Sequence, residues 1–137
     1  MNPPRLVFDT GILLALFNKR DPQHDNVVGG FLSLETSSTH LIVPSCVVFE
    51  TAKRLLFDVS ASAMRAGTAM MLESLNVQDT TTHTIQDALV LTERMGQWGA
   101  TLEDAVVIQT ALTLKAHVWT FNYRDFAAVK TLQFWTP

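Results

Sequence analysis

Two apolar runs open the chain and meet at a single carboxylate. Leu6-Val7-Phe8 holds two strong strand formers, Ile12 to Phe17 is of helical length and rich in Leu and Ala, and Asp9 stands at the join. The pattern predicts a strand over Arg5–Phe8 and a helix over Thr10–Phe17. Asn18 to Pro22 is polar and ends in a breaker, so Asp21 and Pro22 fit the N-cap and first residue of a second helix. That helix carries Val27, Val28, Phe31, Leu32 and Leu34 and ends at Ser37-Ser38. Gly29-Gly30 weakens it by about 1 kcal/mol per Gly relative to Ala, which leaves room for a break.

His40–Val43 reads as the second strand, and Pro44-Ser45 starts a third helix to about Phe57, apolar around most of its circumference. A fourth helix, Ala61–Leu75, carries a methionine stripe suited to adaptable core or a subunit face. Asn76–Thr80 is a short strand. Ile85–Met95 has helical spacing, and 96–100 is a loop. Leu102–Lys115 is the sixth helix, with Thr101 and Asp104 in a capping-box layout. A strand over His117–Thr120, a loop over Asn122–Phe126 and a strand over Leu132–Trp135 complete the chain. Strands alternate with helices, so the expected fold is α/β: a three-layer α/β/α sandwich around a mostly parallel sheet of four to five strands.

Composition narrows the function. At 137 residues, 47% hydrophobic and 17% charged, the chain fits one ordered domain over 1–137. No apolar run approaches the roughly 20 residues that span a bilayer, and the first residues lack the layout of a secretory signal. The single cysteine, Cys46, lies in an apolar run and has no internal partner. These features point to a soluble, cytoplasmic protein with no membrane partner. A net charge of −3 is not the footprint of a constitutive nucleic-acid binder, so any such role needs local basic residues or a metal.

The acids carry the candidate chemistry. Thirteen are present, and most have plain explanations as caps or solvated faces. Asp9 follows strand one, and taken alone it favours an N-cap. Glu50 stands among apolar neighbours near the start of the helix after strand two; its structural alternative is an ion pair with Lys53 or Arg54. Asp104 begins the sixth helix, where capping would explain it, and neighbouring Glu103 could do either job. Asp125 follows the strand after that helix, where a turn would explain it. In a parallel sheet such junctions converge on one edge. Converging carboxylates repel unless a cation joins them, and oxygen-only donors suit Mg²⁺ or Mn²⁺. The four histidines are dispersed, and no phosphate-binding glycine loop or nucleophile elbow is present.

Four stretches together resemble the PIN-domain ribonucleases, most closely the VapC-type toxins of toxin–antitoxin pairs. They are Leu6 to Leu16 with Asp21-Pro22-Gln23-His24; Val43-Pro44 leading to Phe49-Glu50-Thr51; Asp104-Ala105 with Thr110-Ala111-Leu112; and Thr120 to Phe126. The resemblance implies a PIN-like fold and acidic ligands at Asp9, Glu50, Asp104 and Asp125 around Mg²⁺ or Mn²⁺. Thr10 and Asn122 match accessory polar positions, although many relatives carry an aspartate where this chain has Asn122. It also implies an RNA substrate, a homodimer and a small antitoxin protein. Lys19, Arg20, Lys53, Arg54 and Arg124 are available to steer an RNA backbone, though for each one taken alone ordinary solvated surface is the favoured reading.

Two functions compete on these terms. One is a metal-dependent endoribonuclease. The other is a non-catalytic PIN module that binds RNA or scaffolds a partner. A phosphotransfer domain ranks below both, because Asp9-Thr10-Gly11 lacks the acid pair or Asp-x-Asp such domains place after strand one.

Overall fold

The computed structural model describes residues 2–137. Five strands form one fully parallel sheet in the order β3-β2-β1-β4-β5: β1 (Arg5–Phe8), β2 (His40–Pro44), β3 (Asn76–Gln78), β4 (His117–Trp119) and β5 (Gln133–Phe134). Seven helices flank it: α1 (Thr10–Phe17), α2 (His24–Glu35), α3 (Ser45–Asp58), α4 (Ala61–Ser74), α5 (Thr82–Arg94), α6 (Leu102–Leu114) and α7 (Tyr123–Phe126). None of these helices is long and apolar enough to cross a membrane.

The central strand is apolar on both faces because both faces are covered. Leu6, Val7 and Phe8 have no exposure at all. The Phe8 ring stacks on Phe31 of α2 at 4.9 Å between centroids, and Trp119 of β4 packs against both rings. Helix α2 does not break at its glycine pair, and this cluster explains the second of the two. A Cβ on Gly30 would lie 2.4 Å from the Trp119 ring, so only glycine lets α2 approach; Gly29 faces open space.

Several boundaries differ from expectation, and polar side chains set each difference. Asp21 does not cap α2. Its carboxylate accepts the Gln23 N–H at 2.8 Å, which holds Pro22 in a turn before the helix begins. Helix α5 starts three residues early because Thr81 caps it, accepting the Thr84 N–H at 3.1 Å. The expected loop at 122–126 contains a one-turn helix, capped by Asn122 accepting from the Asp125 N–H. Pro44 offers α3 no side-chain cap. Instead the Cys46 N–H donates to Thr80 Oγ1 at 3.3 Å, while Ser45 Oγ accepts the Thr80 N–H at 2.8 Å. Helix α3 is also less enclosed than its composition implies: Phe49 and Phe57 are 76% and 75% exposed.

Candidate metal centre

The strand order reverses direction at β1: the chain winds outward through β2 and β3, then returns to build β4 and β5 on the other side. Ligands in open parallel sheets bind beyond the strand carboxyl ends at such a switch point. Asp9 leaves β1 there. Its N–H donates to Trp119 O of β4 at 3.1 Å, which carries the β1–β4 hydrogen bonding one residue past the end of β1.

Asp9 is only 7% exposed, and both its carboxylate oxygens are engaged. Oδ1 accepts the Thr10 N–H at 2.8 Å, and Oδ2 accepts the Thr120 hydroxyl at 2.6 Å. Thr120 is fully buried and in turn accepts the Asn122 N–H at 2.9 Å, so its hydroxyl can point only at Asp9. The Thr10 hydroxyl donates to Glu50 Oε2 at 3.1 Å. Thr10 therefore bridges the β1 acid to the α3 acid through its backbone and side chain.

Asp104 does form the expected capping box. It accepts the Thr101 N–H at 3.2 Å and donates its own N–H to Thr101 Oγ1 at 3.1 Å. That use is compatible with a second role, because the same carboxylate lies close enough to raise the proton affinity of Asp9 and Glu50.

The electrostatics follow from burial and mutual repulsion. Burial lifts the Asp9 carboxyl from 3.8 to about 6, against the Thr120 hydroxyl; Asp104 and Glu50 add to the rise. Glu50 is raised by burial, against the Thr10 hydroxyl, with Glu103 and Asp104 adding to it. Asp104 is raised by burial, against the Thr101 bonds, with Asp125 and Glu103 adding to it. The alternative for Glu50, an ion pair on its own helix, does not form. Arg54 pairs with Asp58 at 3.6 Å, and among the described residues no cation forms an ion pair with any of these acids. Arg124 on α7 is exposed.

Among the described residues, no three candidate ligands stand in coordinating geometry. The donor chemistry nevertheless fits a hard divalent cation: the carboxylates are raised first by burial and then by one another, and Arg54, whose charge favours ionised Glu50, forms no ion pair with any of them.

The PIN-domain family model matches residues 6–132, nearly the whole chain. The chain belongs to the PIN-domain family. No curated protein matches the sequence. Among solved structures, the chain is similar to Mycobacterium tuberculosis VapC20, described as a sarcin–ricin-loop-cleaving toxin. The TM-score is 0.81 at 20% identity, over 96% of this chain and 99% of that one. It is also similar to VapBC2 of Rickettsia felis bound to a promoter DNA fragment, at a TM-score of 0.75 and 16% identity over 96% and 97% of the two chains. A toxin–antitoxin complex from Klebsiella pneumoniae gives 0.68 at 20% identity over 93% and 94%. Ribonuclease activity is typical of PIN proteins, and PIN nucleases generally use divalent metal ions.

Within this PIN fold, Asp9, Glu50 and Asp104 sense one another's charge, and Asp125 enters through Asp104. Asn122 acts on the backbone, as the cap of the helix that carries Asp125. Two participants carried no assigned role in the sequence. Thr120 looked like an ordinary strand-end threonine, and only the β1–β4 pairing shows what it holds. Glu103 was one of two adjacent acids able to serve as a cap; Asp104 takes the cap, while Glu103 adds its charge to Glu50 and Asp104.

Proposed function

We propose that this PIN protein is a metal-dependent endoribonuclease and the toxin of a type II toxin–antitoxin pair, working as a single 1–137 domain in the cytoplasm. The observation that carries the reading is a buried, doubly hydrogen-bonded Asp9 that feels the charge of Glu50 and Asp104, with no ion pair to any of the three among the described residues. Asp9, Glu50, Asp104 and Asp125 would hold Mg²⁺ or Mn²⁺. Such an ion, when bound, supplies charge neutralisation at the phosphodiester and a water acidified enough to attack it.

The chain's own residues supply order. Thr120 and the Thr10 N–H fix both oxygens of Asp9, so little rotamer freedom is lost when a ligand arrives. Thr10 holds Glu50 by Oε2 and leaves Oε1 to coordinate or to orient the attacking water. Asn122 stiffens the turn that presents Asp125, and exposed Arg124 beside it meets the phosphate backbone. The ribonuclease activity typical of PIN proteins, with the similarity to a sarcin–ricin-loop-cleaving toxin and to a toxin–antitoxin complex, supports an RNA substrate and a small antitoxin partner; a homodimer is the assembly proposed.

The test is cleavage of a structured RNA during a Mn²⁺ titration, wild type against Asp9→Asn. The variant is expected to lose activity by on the order of a hundred- to a thousandfold. Equal cleavage by the two proteins would remove the nuclease assignment and leave a non-catalytic RNA-binding PIN module.

A further inference from the structure

Residues 118–120 are buried almost completely, and at Phe121 the chain surfaces: Val118 and Thr120 have no exposure, Trp119 has 1%, and Phe121 has 39%. The ring does not hang free. Its Cδ2 edge lies 3.6 Å from the point where a Cβ on Gly11 would sit, so it rests on the first turn of α1, two residues from Asp9. Its backbone is pinned on both sides. Thr120 is tied to Asp9, the Asn122 N–H is tied back to Thr120, and Asn122 caps α7. An aromatic ring is thus held in place at the lip of the acid cluster and left partly bare to water.

We propose that Phe121 is a stacking platform for an unpaired nucleobase, seating single-stranded RNA with its backbone beside the Asp9 cluster. The choice of polymer rests on the nuclease reading; the platform itself rests on the ring's placement. An aromatic face accepts any base, because every base has a π-face, and pre-fixing the ring limits the entropy lost on stacking. The acids repel phosphate until a cation neutralises them, so a contact to the base complements the backbone contact offered by Arg124 and does not depend on metal. Exposed Tyr123 nearby is committed to an edge contact with Phe134, at 5.3 Å between centroids, which leaves Phe121 the freer face. The bland alternative is that Phe121 merely covers the glycine in α1.

The experiment measures binding of a phosphorothioate-linked, unstructured oligoribonucleotide by fluorescence anisotropy. Wild type, Phe121→Ala, Phe121→Leu and Phe121→Trp are compared, and the RNA is made abasic at one position at a time. Phe121→Leu still covers Gly11 but has no π-face. The expected result is roughly tenfold weaker binding for both Ala and Leu, with Trp restoring it. One abasic position should cost wild type a similar factor and cost the Ala variant nothing, the mark of a direct pair. KM should rise more than kcat falls. Wild-type affinity in Phe121→Leu, or equal abasic penalties in wild type and Ala, would overturn the platform. Cleavage that needs Asp9 but not Phe121 sinks the platform alone. RNA held through Phe121 without cleavage sinks the nuclease alone. No RNA binding by wild type sinks both.

Discussion

The carboxyl edge of the sheet and the outer surface of α3 and α4 invert the usual arrangement of polar and apolar groups. At the first, Asp9, Thr10 and Thr120 are buried. At the second, Phe49, Phe57, Met70 and Leu72 are 76%, 75%, 52% and 61% exposed. Each region carries an unfavourable term in the isolated chain: uncompensated charge at one, uncovered apolar surface at the other. The two differ in how they are built. Each polar group around Asp9 is fixed by a named hydrogen bond, so the strain there is specific and directional. The outer face has no such anchoring, and covering it requires only shape and apolar area.

The sharpest test of the contrast is pH. Asp9 titrates near 6 in the folded state against 3.8 as an ordinary carboxyl. Its folded value is raised, so its stabilising contribution is complete below about 3.8 and is lost as pH rises through about 6. The corresponding free energy is about 3 kcal/mol. Urea unfolding of metal-free protein should therefore show stability falling between about pH 4 and pH 6. Asp9→Asn, which keeps the acceptor for Thr10, should flatten that fall. A profile identical in wild type and variant would show that burial at this edge imposes no such cost. Divalent-cation affinity runs the opposite way and should weaken as pH drops below about 6, because the ligands must be ionised.

A smaller effect separates directional from diffuse strain. Thr120→Val keeps the shape and removes the hydroxyl that donates to Asp9. Calorimetric titration with Mn²⁺ should give affinity about 10- to 100-fold weaker, the usual cost of losing a residue that orients a ligand. The Asp9 carboxyl should titrate still higher, because the lost bond favoured its charged form. Unchanged Mn²⁺ affinity would mean that Asp9 needs no such support.

The least effect on folding is expected at the other region. Phe49→Ser and Phe57→Ser should change monomer stability by no more than about 0.5 kcal/mol, as for other exposed sites. Sedimentation velocity should nonetheless show reduced self-association if this face meets a second copy. A large loss of stability would instead place these rings in the core and dissolve the contrast.

Much of this was legible in the order of residues. Short runs rich in strand formers alternate with longer helical periods, and that order carried the α/β class and the mostly parallel sheet. The acids at Asp9, Glu50, Asp104 and Asp125 were visible as candidates because a carboxylate beside a buried segment needs a partner. Local hydrogen bonding was harder to read. Asp21, Thr81 and Asn122 each moved a helix boundary through a bond of a few ångströms that hydrophobic spacing does not register.

What the chain's order could not contain was distance between residues far apart in it. Gly29 and Gly30 are the same letter twice, yet one faces open space and the other faces Trp119, 89 positions on. Thr120 and Asp9 are separated by 111 positions and joined by a 2.6 Å bond. Periodicity fixes which face of an element is buried, because that depends on near neighbours. Which residues meet across the sheet depends on strand order and register, and only the packed structure decides those.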